Sequence, residues 1–229
     1  MKRSEINRLI LAAKELFATH HFALPPFGHW SPDDWALAGS EVDEIRECGL
    51  GWDLTDFGSG DFHRIGLLLF TIRNGPPTAL AGRKRYAEKI MIAQPGQITP
   101  WHHHKAKMED IINRGGGRFC IAVRHLDDDD QPSDRDVTIS LDGCSRTVAA
   151  GTILTLDPGQ SITIPRRLLH QFWGDESSPM VLIGEVSDVN DDHTDNYFLN
   201  PGGRFPAIED DVPPLFLLCH EYPAALVPC

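Results

Sequence analysis

At 229 residues with 41% hydrophobic side chains, the chain is long and apolar enough for one β-rich domain with an appendage, which excludes a disordered segment. Its formal net charge of −12 repels polyanions, so neither nucleic acid nor an acidic membrane surface is an expected partner. No run approaches the roughly 18 apolar residues of a membrane helix, and five cysteines without a CxxC pair suit reduced thiols in a cytoplasmic protein.

The N-terminal stretch MKRSEINRLILAAKELF is basic at its tip, but its apolar residues are interrupted by charges and no cleavage site follows, so it does not read as a secretory signal. Ile6, Leu9, Ile10, Ala13, Leu16 and Phe17 share one helical face, with Ser4 as candidate N-cap. Ser31-Pro32-Asp33-Asp34 starts a second helix, with proline and acids in its first turn. Ser40 and Asp43 are spaced as a capping box for a third, which Gly49 ends.

From about residue 52 the period changes. Segments 64–73, 88–93, 118–124, 137–141, 152–156, 161–165 and 180–186 are short and rich in β-formers. Asn74-Gly75, Asp142-Gly143 and Asp157-Pro158-Gly159 mark turns between them. Many short strands without long intervening helices predict an all-β sandwich or barrel. The chain divides into a helical extension over 1–50 and a barrel over 51–229 that forms one unit, with the helices packed outside. The acidic run 127–130 reads as a solvated loop tip.

The chemistry concentrates in QPGQITPWHHHKAKMEDIINRGGG, residues 94–117. His102 and His104 are two apart, so on a strand both project from one face while His103 points away. Glu109 follows after a short bend, and two imidazoles with a carboxylate suit a borderline or hard divalent metal. His170, beyond SITIP, is placed to add a fourth ligand from a partner strand. The remaining histidines, including His193 and His220, read as ordinary surface or core residues. Lys107 is either a surface lysine or a cation beside the metal, able to supply a proton or hold an anionic oxygen. Glu185 lies two residues from Ile183 and four from Val181. It is either a strand-end group in water or, if that face lines the barrel, a carboxylate in a low-dielectric cavity suited to general-base work. Gly115-Gly116-Gly117 has no following GK[ST] and reads as a tight hairpin, not a phosphate loop.

These spacings resemble the two cupin motifs. The first, G(x)5HxH(x)4E(x)6G, matches at Gly96, His102, His104, Glu109 and Gly116; the second matches at Gly159, Pro165 and His170, with Arg167 and Gly174 replacing its glycine and asparagine. The resemblance implies a mainly β double-stranded β-helix, or jelly-roll barrel. The words TPWHHHKAKMEDIINRGGG, WDLTDFGSGDFHRIGLLLFTIRNG and GEVSDVNDDHTDNYF further resemble the D-lyxose isomerase family over about residues 50–205. That family implies interconversion of D-lyxose with D-xylulose, and of D-mannose with D-fructose, by metal-assisted proton transfer through an enediol. It implies one divalent ion on His102, His104, Glu109 and His170, Mn²⁺ foremost, with Zn²⁺, Co²⁺ or Fe²⁺ as substitutes. Glu185 is then the expected base and Lys107 its helper, with Trp101, Asp195 and Arg204 at a free sugar, in a homodimer. Two rival functions use the same barrel. A non-haem iron dioxygenase would need redox iron and oxygen, and a non-catalytic metal- or sugar-binding cupin would need no base.

Overall fold

Period-two burial builds a two-sheet barrel in the computed structural model, which describes residues 1–225 apart from 77, 79, 193, 201 and 204. Three helices come first: α1 (Arg3–Thr19), α2 (Pro32–Leu37) and α3 (Asp43–Glu47). The strands are β1 (Gly51–Thr55), β2 (Leu67–Arg73), β3 (Tyr86–Ala93), β4 (Ile98–His103), β5 (Glu109–Gly116), β6 (Phe119–Arg124) and β7 (Val137–Leu141). They continue with β8 (Cys144–Val148), β9 (Ile153–Leu156), β10 (Ser161–Ile164), β11 (Leu169–Gly174), β12 (Val181–Asp188) and β13 (Tyr197–Phe198). One sheet has the order β1-β2-β3-β12-β5-β10-β7-β8 and the other β13-β4-β11-β6-β9, with every ladder between strands antiparallel. This is the cupin jelly roll.

Two apolar layers hold it. Between the sheets, Leu69, Met91, Ile111, Val181 and Ile183 of the larger meet Phe119, Ile121, Leu156 and Phe172 of the smaller. On the outer face of the larger sheet, α1 lays Ile6, Leu9, Ile10, Ala13 and Phe17 against Trp52, Leu54, Phe70, Ile90 and Ile92. The helices therefore pack outside the barrel. The C-terminal segment is tied to them: Arg3 pairs with Asp210 and Glu221, and Trp35 stacks on Tyr222 with ring centroids 3.7 Å apart.

Local expectations fared unevenly. Ser31 and Asp34 form the full capping box, and Gly49 ends α3 with φ +60°. Asp142 and Gly143 both take positive φ, which a two-residue hairpin between β7 and β8 requires. Ser4 is not the N-cap of α1; Lys2 is, and the Ser4 hydroxyl donates to Asp211 instead. The Ser40–Asp43 box does not form either, because a 3₁₀ turn over Ser40–Val42 separates the serine from α3. The strand expected from residue 64 starts at Leu67, because the Arg64 and Ile65 amides bond back to the Asp61 carbonyl in a turn. Asn74-Gly75 makes no hairpin. Asn74 is buried, donating to the Cys48 and Asn190 carbonyls and accepting from the Asn190 amide.

Candidate metal centre and active site

The site forms where the two sheets meet at one end of the barrel. His170 on β11 lies opposite His102 on β4, and His104 follows on the same face just past the end of β4. Glu109 opens β5 of the other sheet and brings its carboxylate across. The ligand nitrogens of His102, His104 and His170 all lie within 4.8 Å of one another, and all four residues are buried.

Each ring has one nitrogen fixed by a backbone carbonyl. Nδ1 of His102 donates to Pro100 O at 2.8 Å, that of His104 to Asp195 O at 2.7 Å, and that of His170 to Leu168 O at 3.0 Å. A carbonyl only accepts, so each Nδ1 carries the proton and a neutral ring leaves Nε2 as a bare acceptor. His170 Nε2 is 3.2 Å and His104 Nε2 3.5 Å from the same oxygen, Glu109 Oε1, yet buried His170 Nε2 makes no hydrogen bond of acceptable geometry. Acceptors converging on a carboxylate in a dry site fit a cation among them, and the His₃Glu donor set suits a divalent one.

Lys107 joins this cluster to a second carboxylate. Its buried ammonium lies 2.7 Å from Glu109 Oε2 and 2.9 Å from Glu185 Oε1. Of the two readings open for Glu185, the water-facing one is excluded: Val181 and Ile183 sit in the inner core, so Glu185, in phase with them, points inward and is buried. Lys89, directly opposite on β3, approaches the same Glu185 oxygen at 3.4 Å, and Ser187 Oγ donates to it at 3.3 Å. Burial alone would raise the Glu109 and Glu185 pKa values. Lys107 outweighs it at both, with Lys89 assisting at Glu185, and both carboxyls fall below the usual range. Burial pulls Lys107 down, but the two carboxylates outweigh it and hold it as the ammonium. His102 is pushed well below its ordinary value by burial, then by His170 and His104, and stays neutral.

His102, His104, Glu109, Lys107, Lys89 and Glu185 face a cavity also walled by Phe57, Phe198, Asp192 and Asn196. Two residues expected at a sugar stand elsewhere. Trp101 alternates with His102 along β4, projects from the opposite face and is absent from the cavity wall. Asp195 is buried beside the wall with its carboxylate already occupied: Oδ1 accepts from the Lys105 and Ala106 amides, and Oδ2 from the Lys107 amide. It holds the turn between His104 and Glu109 and presents no free oxygen to a ligand. Arg204 and His193 lie outside the described residues. His103 points away from the ligands and stacks on Tyr197 at 5.1 Å.

Lys89, Asn190, Asp192, Asn196, Phe57 and Phe198 escaped the sequence reading. Lys89 was within its reach, because it lies two residues before Met91 in the phase of the inner core, as Glu185 lies two after Ile183.

A family model described as D-lyxose isomerase matches residues 1–222. A D-lyxose/D-mannose isomerase of Serratia proteamaculans is 48% identical over 223 residues, covering 97% of this chain and 98% of that one. Its counterpart in Escherichia coli O157:H7 is 44% identical with the same coverage. Among solved structures, ligand-free Cellulomonas parahominis L-ribose isomerase superposes with a TM-score of 0.63 at 17% identity, covering 91% of this chain and 98% of that one, a likeness of fold.

Proposed function

The chain belongs to the D-lyxose isomerase family, and from that premise we propose that it is an aldose–ketose isomerase interconverting D-lyxose with D-xylulose and D-mannose with D-fructose. The observation that carries the proposal is the pairing, across one cavity, of a His₃Glu donor set with a separate buried carboxylate, Glu185. A metal- or sugar-binding protein needs no such second carboxylate.

His102, His104, Glu109 and His170 would hold one divalent ion, with Mn²⁺ the first choice and Zn²⁺, Co²⁺ or Fe²⁺ as substitutes. When bound, it supplies Lewis-acid polarisation of the two sugar oxygens at C1 and C2. Glu185 takes the C2 proton of the aldose, leaving an enediolate; the O2 proton passes to O1, and Glu185 returns the carbon-bound proton to C1 to give the ketose. The Lys107 ammonium keeps Glu185 ionised between turnovers and donates to the sugar oxygen that gains charge, assisting proton movement from one oxygen to the other. Phe57 and Phe198 line the cavity and exclude water from the enediol, while Asp192 and Asn196 offer polar atoms to the distal hydroxyls.

The substrate is a free sugar. Both cavity lysines are already matched by Glu109 and Glu185, which leaves neither as an uncompensated cation for a phosphate. Cytoplasmic residence and a homodimer complete the proposal. Cys48, Cys120 and Cys144 carry free thiols, as a reducing compartment allows, and among the described residues no helix is long and apolar enough to cross a membrane.

The test is an anaerobic assay of the Mn²⁺-loaded protein against aldoses and their phosphates, with ketose as readout. D-lyxose and D-mannose should give ketose with the highest kcat/KM. Failure with every aldose refutes isomerisation, turnover only with oxygen points to a dioxygenase, and a preference for sugar phosphates refutes the free-sugar reading.

A further inference from the structure

The site holds a second buried lysine to which the chemistry above gives no task. Lys89 is 6% exposed, sits directly across the β3–β12 ladder from Glu185 and touches no metal-ligand candidate. Its ammonium donates to Asn190 Oδ1 at 2.6 Å. Asn190 is itself fixed: its amide donates to Asn74 Oδ1 at 3.0 Å, and its carbonyl accepts from Asn74 Nδ2 at 2.9 Å. Asn74 is anchored in turn to the Cys48 carbonyl. All three asparagine and lysine side chains are buried, and the path Asn74–Asn190–Lys89–Glu185 runs from the loop to the carboxylate through hydrogen bonds and a closing ion pair at 3.4 Å.

The donors around Glu185 are one-sided. Lys107, Lys89 and Ser187 all approach Oε1, and among the described residues no hydrogen bond reaches Oε2. A carboxylate gripped by one oxygen has its rotation fixed and offers the other. Lys107 divides its ammonium between Glu185 at 2.9 Å and Glu109 at 2.7 Å, so a second cation beside Oε1 adds to its hold. Lys89 has no carboxylate partner but Glu185 among the ion pairs of the described residues. It also brings the buried cluster to two ammoniums for two carboxylates, which Lys107 by itself would leave unbalanced.

Resting on the isomerase reading, we propose that Lys89, braced by Asn190, is a positioning residue that fixes Glu185 with Oε1 held and Oε2 presented to the sugar. The side chain acts through Glu185 and makes no contact of its own with the reacting carbons. Misplacing a reacting group by about 1 Å costs on the order of 10²-fold in rate. Lys89→Met should therefore lower kcat about 10- to 10²-fold, with Mn²⁺ stoichiometry and the KM for D-lyxose within about twofold of the parent. Lys89→Arg, which keeps a cation opposite Glu185, should recover a large part of kcat.

The experiment measures kcat, KM and bound Mn²⁺ for the full-length parent, Lys89→Met and Lys89→Arg, at a temperature well below each variant's unfolding midpoint. It adds the fraction of ketose labelled at C1 in D₂O, which should shift in Lys89→Met because a freed carboxylate rotates its proton away from the sugar. A purely structural lysine would lower the unfolding midpoint but leave kcat per metal-loaded site and the labelled fraction at parental values, and that result overturns the proposal. If Lys89→Met does not fold, Asn190→Ala carries the test: a lower kcat at unchanged metal content supports the brace, and parental kcat overturns it. A parent inactive on every aldose refutes the isomerase reading, whereas an active parent matched by its variants refutes only the role of Lys89.

Discussion

Replacing Glu185 by Gln separates the proposed base from everything else the cavity does. The amide has nearly the size of the carboxylate, and its oxygen can still accept from Lys107 and Ser187 and stay beside the Lys89 ammonium. What disappears is one buried negative charge, on the group proposed to accept the carbon-bound proton. General acid–base catalysis contributes about 10²–10⁴-fold, so kcat should fall by that factor, equivalent to about 2.7–5.5 kcal/mol of barrier. Stability should suffer less, since both ammoniums keep partners in Glu109 and Asn190; weakening charge-assisted hydrogen bonds costs about 1–3 kcal/mol, which lowers Tm by several degrees. KM and Mn²⁺ content should hold, because none of the four ligand candidates bonds to Glu185. The assay is ketose formation from D-lyxose by the metal-loaded variant at saturating sugar, with circular dichroism confirming the fold. Transfer through an enediol also lets the abstracted proton exchange, so D₂O should label C1 of the ketose made by the parent. If the Gln variant turns over within about tenfold of the parent, Glu185 leaves the mechanism.

Three further expectations follow from the same geometry. His102→Ala and His170→Ala should each abolish bound metal and turnover while leaving a folded barrel, and full metal stoichiometry in both would refute the ligand set. Asp195→Asn should weaken metal affinity about 10–100-fold in a chelator competition, because the residue holds the 105–107 turn and its carbonyl orients His104; parental affinity would show that the turn holds without the carboxylate. In the metal-free protein His102 is held neutral below its ordinary pKa of 6.5, so the unfolded state takes up the extra proton and stability falls as pH drops below that value. The loss approaches at most about 1.4 kcal/mol per pH unit for one histidine, and the lowered carboxyls contribute only in more acidic solution. A metal-free Tm that stays flat between pH 7.5 and 5.5 would contradict the assignment.

The legible parts of this protein were those that a period decides. His102 and His104 share a face because strands alternate, and Glu185 could be placed inside by counting back to Ile183 and Val181. Lys89 obeys the same count and could have been found with it. Arg167, at the motif's glycine position, does adopt the positive φ of 63° that a glycine favours, so the departure leaves the turn intact. Illegible were the contacts between segments far apart in the chain. Ser4 bonds to Asp211 rather than capping its own helix, Asn74 is drawn into the interior by Asn190, and Asp195 turns from the cavity toward three amides some ninety residues away. In each case local propensity named a plausible task for a polar side chain, and a tertiary partner supplied a better one.

Two of those distant contacts, of Asn74 with Asn190 and of Asp195 with the 105–107 amides, fall in one short stretch of chain before β13 that flanks the buried site. The chain between His104 and Glu109 makes a sharp turn, whose amides would be left unsatisfied if the metal ligands alone shaped it. Asp195 accepts from three of those amides, so the spacing of His104, Lys107 and Glu109 is set by folding. The same residue's carbonyl selects the His104 tautomer, and five residues earlier Asn190 fixes Lys89 and reaches Lys107 at 3.4 Å. Tyr197 and Phe198 then pair with His103 and His102, adding β13 to the edge of the ligand-bearing sheet. His104, Lys107 and Lys89 are thereby held by one segment that supplies none of the candidate metal ligands. Ordering the site is then part of folding, so binding an ion and a sugar requires little further rearrangement of the chain.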